Sequence, residues 1–180
     1  MRYRNINPDV FKSNRAELFK LLDDNSIAIF NSNDLMPKNA DQLMSFKQNS
    51  DLFYLSGIDQ EETILVLIKS RNRFEEILFV RETNDNIKIW EGEKISQQEA
   101  KKISGINTIF WNTEFEKRLP SLIGDVKKIY LNSNEHPRAN VVVETRDARF
   151  KKWIKSKYPN HTYQKSAELL HGLRAIKKPE

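Results

Sequence analysis

The chain contains no cysteine. That excludes disulfides, thiolate metal sites and a cysteine nucleophile, and it agrees with a reducing compartment. Glycine is scarce, at 5 of 180 residues, and no G-x-x-x-x-G-K-[ST], G-x-G-x-x-G or G-x-S-x-G motif occurs. A backbone cradle for phosphate and a nucleophile elbow are therefore excluded. With only 6 prolines the chain is neither linker nor low-complexity sequence. The longest aliphatic run, Ile64 to Ile68, falls far short of the roughly 20 residues that cross a membrane. Arg2 and Arg4 are followed by no apolar stretch, so no signal peptide is read and a cytoplasmic protein is expected. The histidines His136, His161 and His171 fall in no H-E-x-x-H or H-x-H pattern. No catalytic residue and no metal ligand is assigned to this chain. The neighbouring acids Asp23-Asp24 and Glu61-Glu62 read as caps and turn residues.

What is present suits one packed domain: 38% hydrophobic and 31% charged residues. The net charge of +5 is unevenly placed. Arg146 to Glu180 holds ten Lys/Arg against three acids, while residues 1–145 hold twenty against twenty-two. A nucleic-acid surface on the basic helix 146–157 is one reading, and a solvated helix face is the more ordinary one. Phe150 and Trp153 share an apolar stripe there and are expected to be buried, whereas bases stack on exposed rings.

Along the chain, Asn7-Pro8-Asp9 predicts a helix start, with Phe11, Leu18 and Leu22 as its apolar stripe. Ser26 to Phe30 and Leu52 to Leu55 read as short buried strands, the second ended by Ser56-Gly57. Glu62 to Lys69 is the best central strand, and Arg71 to Arg73 turns it into a hairpin with Glu76 to Val80. Ile87 to Trp90 reads as a further short strand. Ser96 and Glu99 form a capping box for a helix ending at Gly105. Thr108 to Trp111 and Lys128 to Leu131 are strands. Between them a helix from Thr113 carries Phe115, Leu119, Leu122 and Ile123, with a kink or a late restart expected because of Pro120. A helix with Phe150, Trp153, Ile154 and Tyr158 precedes a strand at His161 to Tyr163. Ser166 then caps a last helix with Leu169, Leu170, Leu173 and Ile176 aligned. No internal repeat is visible. Alternating strands and helices plus a hairpin predict an α/β fold, a mixed β-sheet flanked by helices.

One stretch is distinctive: Phe46-Lys47-Gln48-Asn49-Ser50-Asp51-Leu52-Phe53-Tyr54-Leu55-Ser56-Gly57. It resembles the signature of the aminopeptidase P N-terminal domain, [YF]-R-Q-x-S-x-[FW]-x-Y-[LF]-[TS]-G before an aliphatic strand. Lys47 stands where Arg is expected, which keeps charge but loses a bidentate fork. Phe11 to Leu22 with Arg15 is similar to the family's opening helix. Asn39-Ala40-Asp41 resembles its small-Ala-Asp element, Ile89-Trp90-Glu91-Gly92 its I-W-x-G element, and Leu173 to Glu180 its L-R-x-I-K-x-x-E joining segment.

The resemblance implies a creatinase/aminopeptidase P N-terminal domain of ribonuclease H-like architecture over residues 1–164. Residues 165–180 would then be a joining helix leading to a pita-bread catalytic domain, and the chain would be an expressed piece of a longer polypeptide. It further implies a parent Xaa-Pro aminopeptidase. Such a parent holds dinuclear manganese on two Asp, one His and two Glu, where a bridging hydroxide attacks the bond before proline. None of those ligands belongs to this chain, which is expected to be inactive alone. The implied partners are its own catalytic domain, further copies in a homo-oligomer and a peptide with proline second, with no membrane partner. Trp90 and Asp41 correspond to elements that reach a neighbouring subunit's site. A Trp offers a flat wall to a prolyl ring and an Asp can anchor an Arg. The bland alternatives are a Trp covering the sheet edge and an Asp capping a turn. The signature itself reads as architectural, on a strand. A prolidase or a creatinase-like hydrolase is the alternative parent.

Overall fold

The computed structural model describes residues 6–71, 73–133 and 143–176. Six strands form one mixed sheet: β1 (Ser26–Asn31), β4 (Ile64–Ser70), β5 (Arg73–Val80), β6 (Thr108–Trp111), β7 (Lys128–Leu131) and β8 (Thr162–Lys165). Their spatial order is β6-β5-β4-β1-β7-β8, and a separate hairpin pairs β2 (Pro37–Asn39) with β3 (Gln42–Leu43). Only β4 runs against its neighbours: β1 and β5 pair with it antiparallel, and the other pairs are parallel. This is the mixed α/β sheet that the sequence predicts.

Side-chain alternation makes two cores from one sheet. In β1, Ala28 and Phe30 face one way, toward α1 (Pro8–Leu21), α2 (Ser50–Ser56), α4 (Gln97–Ser104) and α7 (Ala167–Ala175). Ile27 and Ile29 face the other way, toward α5 (Phe115–Ile123) and α6 (Arg146–Lys157). Burial of about 1.5–3 kcal/mol per large apolar side chain on both faces holds the three layers together.

Two short segments differ from the strand reading. Leu52 to Leu55 lies in the helix α2. Asn49 Oδ1 accepts the N–H groups of Asp51 at 3.0 Å and Leu52 at 3.3 Å, and Gly57 closes the helix at φ 70°. The buried residues Leu52, Leu55 and Ser56 then share one helical face. Ile87 to Trp90 lies in α3 (Asp85–Glu91), capped by Asn84, whose Oδ1 accepts from Ile87 N at 3.0 Å. In each case a capping Asn and a terminal Gly outweighed a short apolar run, which carries no period of its own. Asn7 caps α1 as expected, and the capping box of Ser96 and Glu99 is present in α4. The α5 helix runs through Pro120 after a single 3₁₀ turn at Asn112–Glu114. Ser166 stands at the start of α7 without making a side-chain capping bond, and the helix stops before the exposed Ile176.

The helices α2 and α4 end alike, in Leu55-Ser56-Gly57-Ile58 and Ile103-Ser104-Gly105-Ile106. Each terminal serine donates to the carbonyl four residues back at 2.7 Å and accepts from the isoleucine N–H two residues on. Arg15 of α1 sits between these two ends with 0% exposure. Its Nη1 donates to Leu55 O at 2.7 Å and Ser104 O at 3.1 Å, and Nη2 to Glu76 Oε2 at 3.0 Å. Its Nε lies 2.9 Å from Glu76 Oε1, an ion-pair distance without hydrogen-bond alignment. One cation thus meets two helix C-termini, where the dipoles favour positive charge.

Candidate functional site

Strand direction decides which loops meet. Asn31 pairs with Ile64, Ile64 with Phe79, Val80 with Trp111, Ile29 with Leu131, and Leu131 with Lys165. The C-terminal ends of β1, β5, β6, β7 and β8 therefore share one rim with the start of β4. The segment carrying Asp41 leaves this rim after β1, and the one carrying Trp90 leaves it after β5. In open α/β sheets that rim is where binding sites gather.

Both segments stand away from the core. Every residue of the β2–β3 hairpin is exposed, and Asp41 follows Ala40, which turns the chain at φ 48°. A further bond from Met44 N to Met36 O, 2.8 Å, extends the hairpin. In α3 no residue is buried; Ile89 is 74% exposed and Trp90 86%. Trp90 therefore does not cover the sheet edge. Among the described residues ten large hydrophobic side chains are exposed, and five of them, Met36, Leu43, Met44, Ile89 and Trp90, belong to these two segments. Exposed apolar side chains on two segments that leave the same rim are the kind of surface that contact sites use.

On the side of α5 and α6 the same rim opens into a pocket of about 340 Å³, lined by Asn31, Asn112, Phe115, Arg146 and Phe150 among others. Beneath it Asp147 is buried, and that burial pushes its carboxyl up to about 7 despite the Asn31 amide 3.5 Å away and the charge of Arg146. Arg149 donates to Asp34 Oδ1 at 2.7 Å and to Glu144 O at 2.8 Å. Phe150 and Trp153 are half-buried against the second core, and Lys157 lies 4.8 Å over the Trp153 ring. The basic helix thus turns its rings inward and spends part of its charge within the domain.

The distinctive stretch is a tie between elements. Gln48 donates to Ile58 O at 3.1 Å and Gln60 O at 2.8 Å, and Asn49 accepts from Asn132 at 3.1 Å. The Asp51 carboxylate receives Arg174 of α7 at 2.6 Å, and the Tyr54 hydroxyl lies 3.5 Å from Leu173 O. Lys47 is exposed, and its carbonyl accepts from Asn33. The distinctive stretch and the Leu173-Arg174 segment, far apart in sequence, touch here. Sequence reading missed this contact, the Arg15 clamp and the buried Asp147. The twin Ser-Gly-Ile endings were a visible clue to the clamp. His171 is exposed, His161 packs edge-on to Tyr158 at 5.7 Å, and His136 and residues 177–180 lie outside the described residues. Among the described residues no group of three or more His, Asp or Glu could hold a metal ion, and no helix is long and apolar enough to cross a membrane.

Residues 11–130 match the family model of the aminopeptidase P N-terminal domain. The chain belongs to that family. It is 26% identical over 180 residues to the Xaa-Pro aminopeptidase of Escherichia coli, covering 97% of this chain and 40% of that protein. Xaa-Pro aminopeptidase 3 of Dictyostelium discoideum is 33% identical over 98 residues, or 54% of this chain and 19% of that protein. A Bacillus anthracis structure described as an aminopeptidase P superposes with TM-score 0.89 at 30% identity, over 96% of this chain and 41% of that one. The E. coli aminopeptidase P structure with the inhibitor Pro-Leu gives 0.78 at 25% identity, over 98% and 40%. This aminopeptidase P-type domain spans about 40% of the length of the E. coli and B. anthracis proteins.

Proposed function

We propose that this domain, residues 1–164 with a joining segment at 165–180, is the non-catalytic assembly and substrate-access part of a metallo-aminopeptidase that removes residues preceding proline. Trp90 and Asp41 reach the active site of a neighbouring subunit in a homo-oligomer. There Trp90 walls the prolyl ring and Asp41 anchors a cation. The observation that carries this reading is Trp90, 86% exposed on a helix with no buried residue, at the same rim as the Asp41 hairpin. A large aromatic left mostly in water adds little to a lone domain and is useful at a contact.

Two structures of one relative support the substrate class: E. coli aminopeptidase P with the inhibitor Pro-Leu and, in zinc-substituted form, with product. The dinuclear manganese expected for the family would be held by the pita-bread domain, since the described residues supply no ligand set for it. The parent is proposed to work in the cytoplasm.

Two measurements test the reading. Purified residues 1–180 with added manganese should not turn over an Xaa-Pro peptide, and turnover would overturn it. In the polypeptide joining this domain to its catalytic domain, Trp90→Ala should lower kcat/KM for Xaa-Pro substrates by about tenfold or more, the loss of one good apolar contact. An unchanged kcat/KM removes Trp90 from the site.

A further inference from the structure

A seven-residue helix that buries nothing does not hold its shape in water by itself. With Ile87 alone half-buried, polar contacts supply what apolar packing does not. Glu61, at the entry to β4, has a nearly buried side chain, 8% exposed. Its Oε1 receives Arg81 Nη1 at 2.6 Å and Lys94 Nζ at 2.6 Å. Arg81 lies just before α3 and Lys94 just after it, and each has a side chain only 14% exposed. The other arm of Arg81, Nη2, holds Glu91 Oε2 at 2.6 Å, and Lys94 stands 3.9 Å from the same oxygen. Glu91 is the residue next to Trp90. Beside this knot, Ile95 N donates to Gln60 Oε1 at 2.6 Å and Glu82 N to Asn112 Oδ1 at 3.1 Å. Burial opposes the charge on Glu61, but hydrogen bonds from Lys94, from its own backbone and from Arg81 outweigh it and hold the carboxyl below its ordinary range.

We infer that Glu61, Arg81 and Lys94 are positioning residues that lock α3 to the sheet and so fix the direction in which Trp90 is presented. The inference rests, for its use in substrate recognition, on the role proposed for Trp90. An apolar base would need α3 to bury a face, and that would pull Ile89 and Trp90 down with it. An ionic base fastens the segments flanking the helix and leaves Ile89 and Trp90 in water, with Ile87 alone half-buried. Charge pairs this sheltered resist screening better than exposed ones. Arg81 also grips two carboxylates with two different nitrogens, which sets orientation as well as distance.

The test reads placement first and activity second. In a Trp111→Phe/Trp153→Phe background, Trp90 is the sole indole. Glu61→Gln keeps shape but removes the shared anion, and Lys94→Met removes one cation nearer the surface. Each should lower Trp90 fluorescence anisotropy and speed amide exchange over residues 85–91 by about tenfold or more, with β4 and β5 unchanged. Lys94→Arg should restore both signals. Unchanged anisotropy and exchange in both Glu61→Gln and Lys94→Met would overturn the inference. So would a loss spread evenly over the sheet. In the catalytic polypeptide, Glu61→Gln should lower kcat/KM for an Xaa-Pro peptide and add nothing in a Trp90→Ala background; full additivity would count against positioning. If Trp90→Ala is silent, the substrate-access reading falls, and the anisotropy and exchange data still decide the placement.

Discussion

The Arg15 clamp and the α3 segment both depend on charged side chains, and they use them in opposite ways. Arg15 is wholly buried, and its partners include the carbonyls of two packed helices. The charge there is part of the core, and losing it leaves acceptors stranded in a dry place. Around α3 the charges form a base, and no residue of the helix above them is buried. The difference separates residues that make the fold from residues that present a surface. Changes at the clamp should unfold the domain, whereas changes on α3 should leave it folded and alter only what it does.

The sharpest way to break that contrast is Arg15→Met. It fills much of the volume but leaves Leu55 O, Ser104 O and Glu76 without their donor. A loss of about 3–5 kcal/mol is expected, read as a lower urea midpoint. Asp147→Asn should move stability the other way. A carboxyl with a folded pKa of about 7 and an ordinary value of 3.8 carries no penalty when protonated in both states. The penalty grows as pH rises from about 4 to 7, because the unfolded chain releases its proton first, and it is constant above that. The Asn variant should therefore be more stable at pH 8 by up to about 4 kcal/mol, with the gain vanishing near pH 4. Equal stability of the two proteins at pH 8 would place Asp147 in water. Gly57→Ala should cost about 2 kcal/mol, since φ is 70° and a Cβ would stand 2.3 Å from the buried Phe11 ring. The smallest effect belongs to Trp90→Ala, within about 0.5 kcal/mol by thermal unfolding of residues 1–180. A large loss there would mean that α3 is part of the core after all.

Much of the framework was legible because it is written in local signals. The hairpin of β4 and β5 followed from two aliphatic runs around a turn, and α4 from its capping box and terminal glycine. The two errors share one cause. Leu52 to Leu55 and Ile87 to Trp90 are too short to show a period, and the decisive signals were the asparagines three residues ahead of each and the glycines behind. For the site, Trp90 and Asp41 came from resemblance, and strand direction then put their segments at one rim. In sequence Glu61 looks like a turn acid because its partners Arg81 and Lys94 are 20 and 33 residues away.

Sequence by itself determined the class of the domain, the mixed sheet, most helix ends and the absence of thiol chemistry, because these rest on composition, capping and periodicity within a few neighbouring residues. Tertiary structure alone decided that Arg15 is buried, that Asp51 holds Arg174, that Asp147 resists ionisation and that Trp90 stands in water. Each of those depends on which distant groups share a dielectric environment and on how much solvent reaches them, and chain order does not encode that locally.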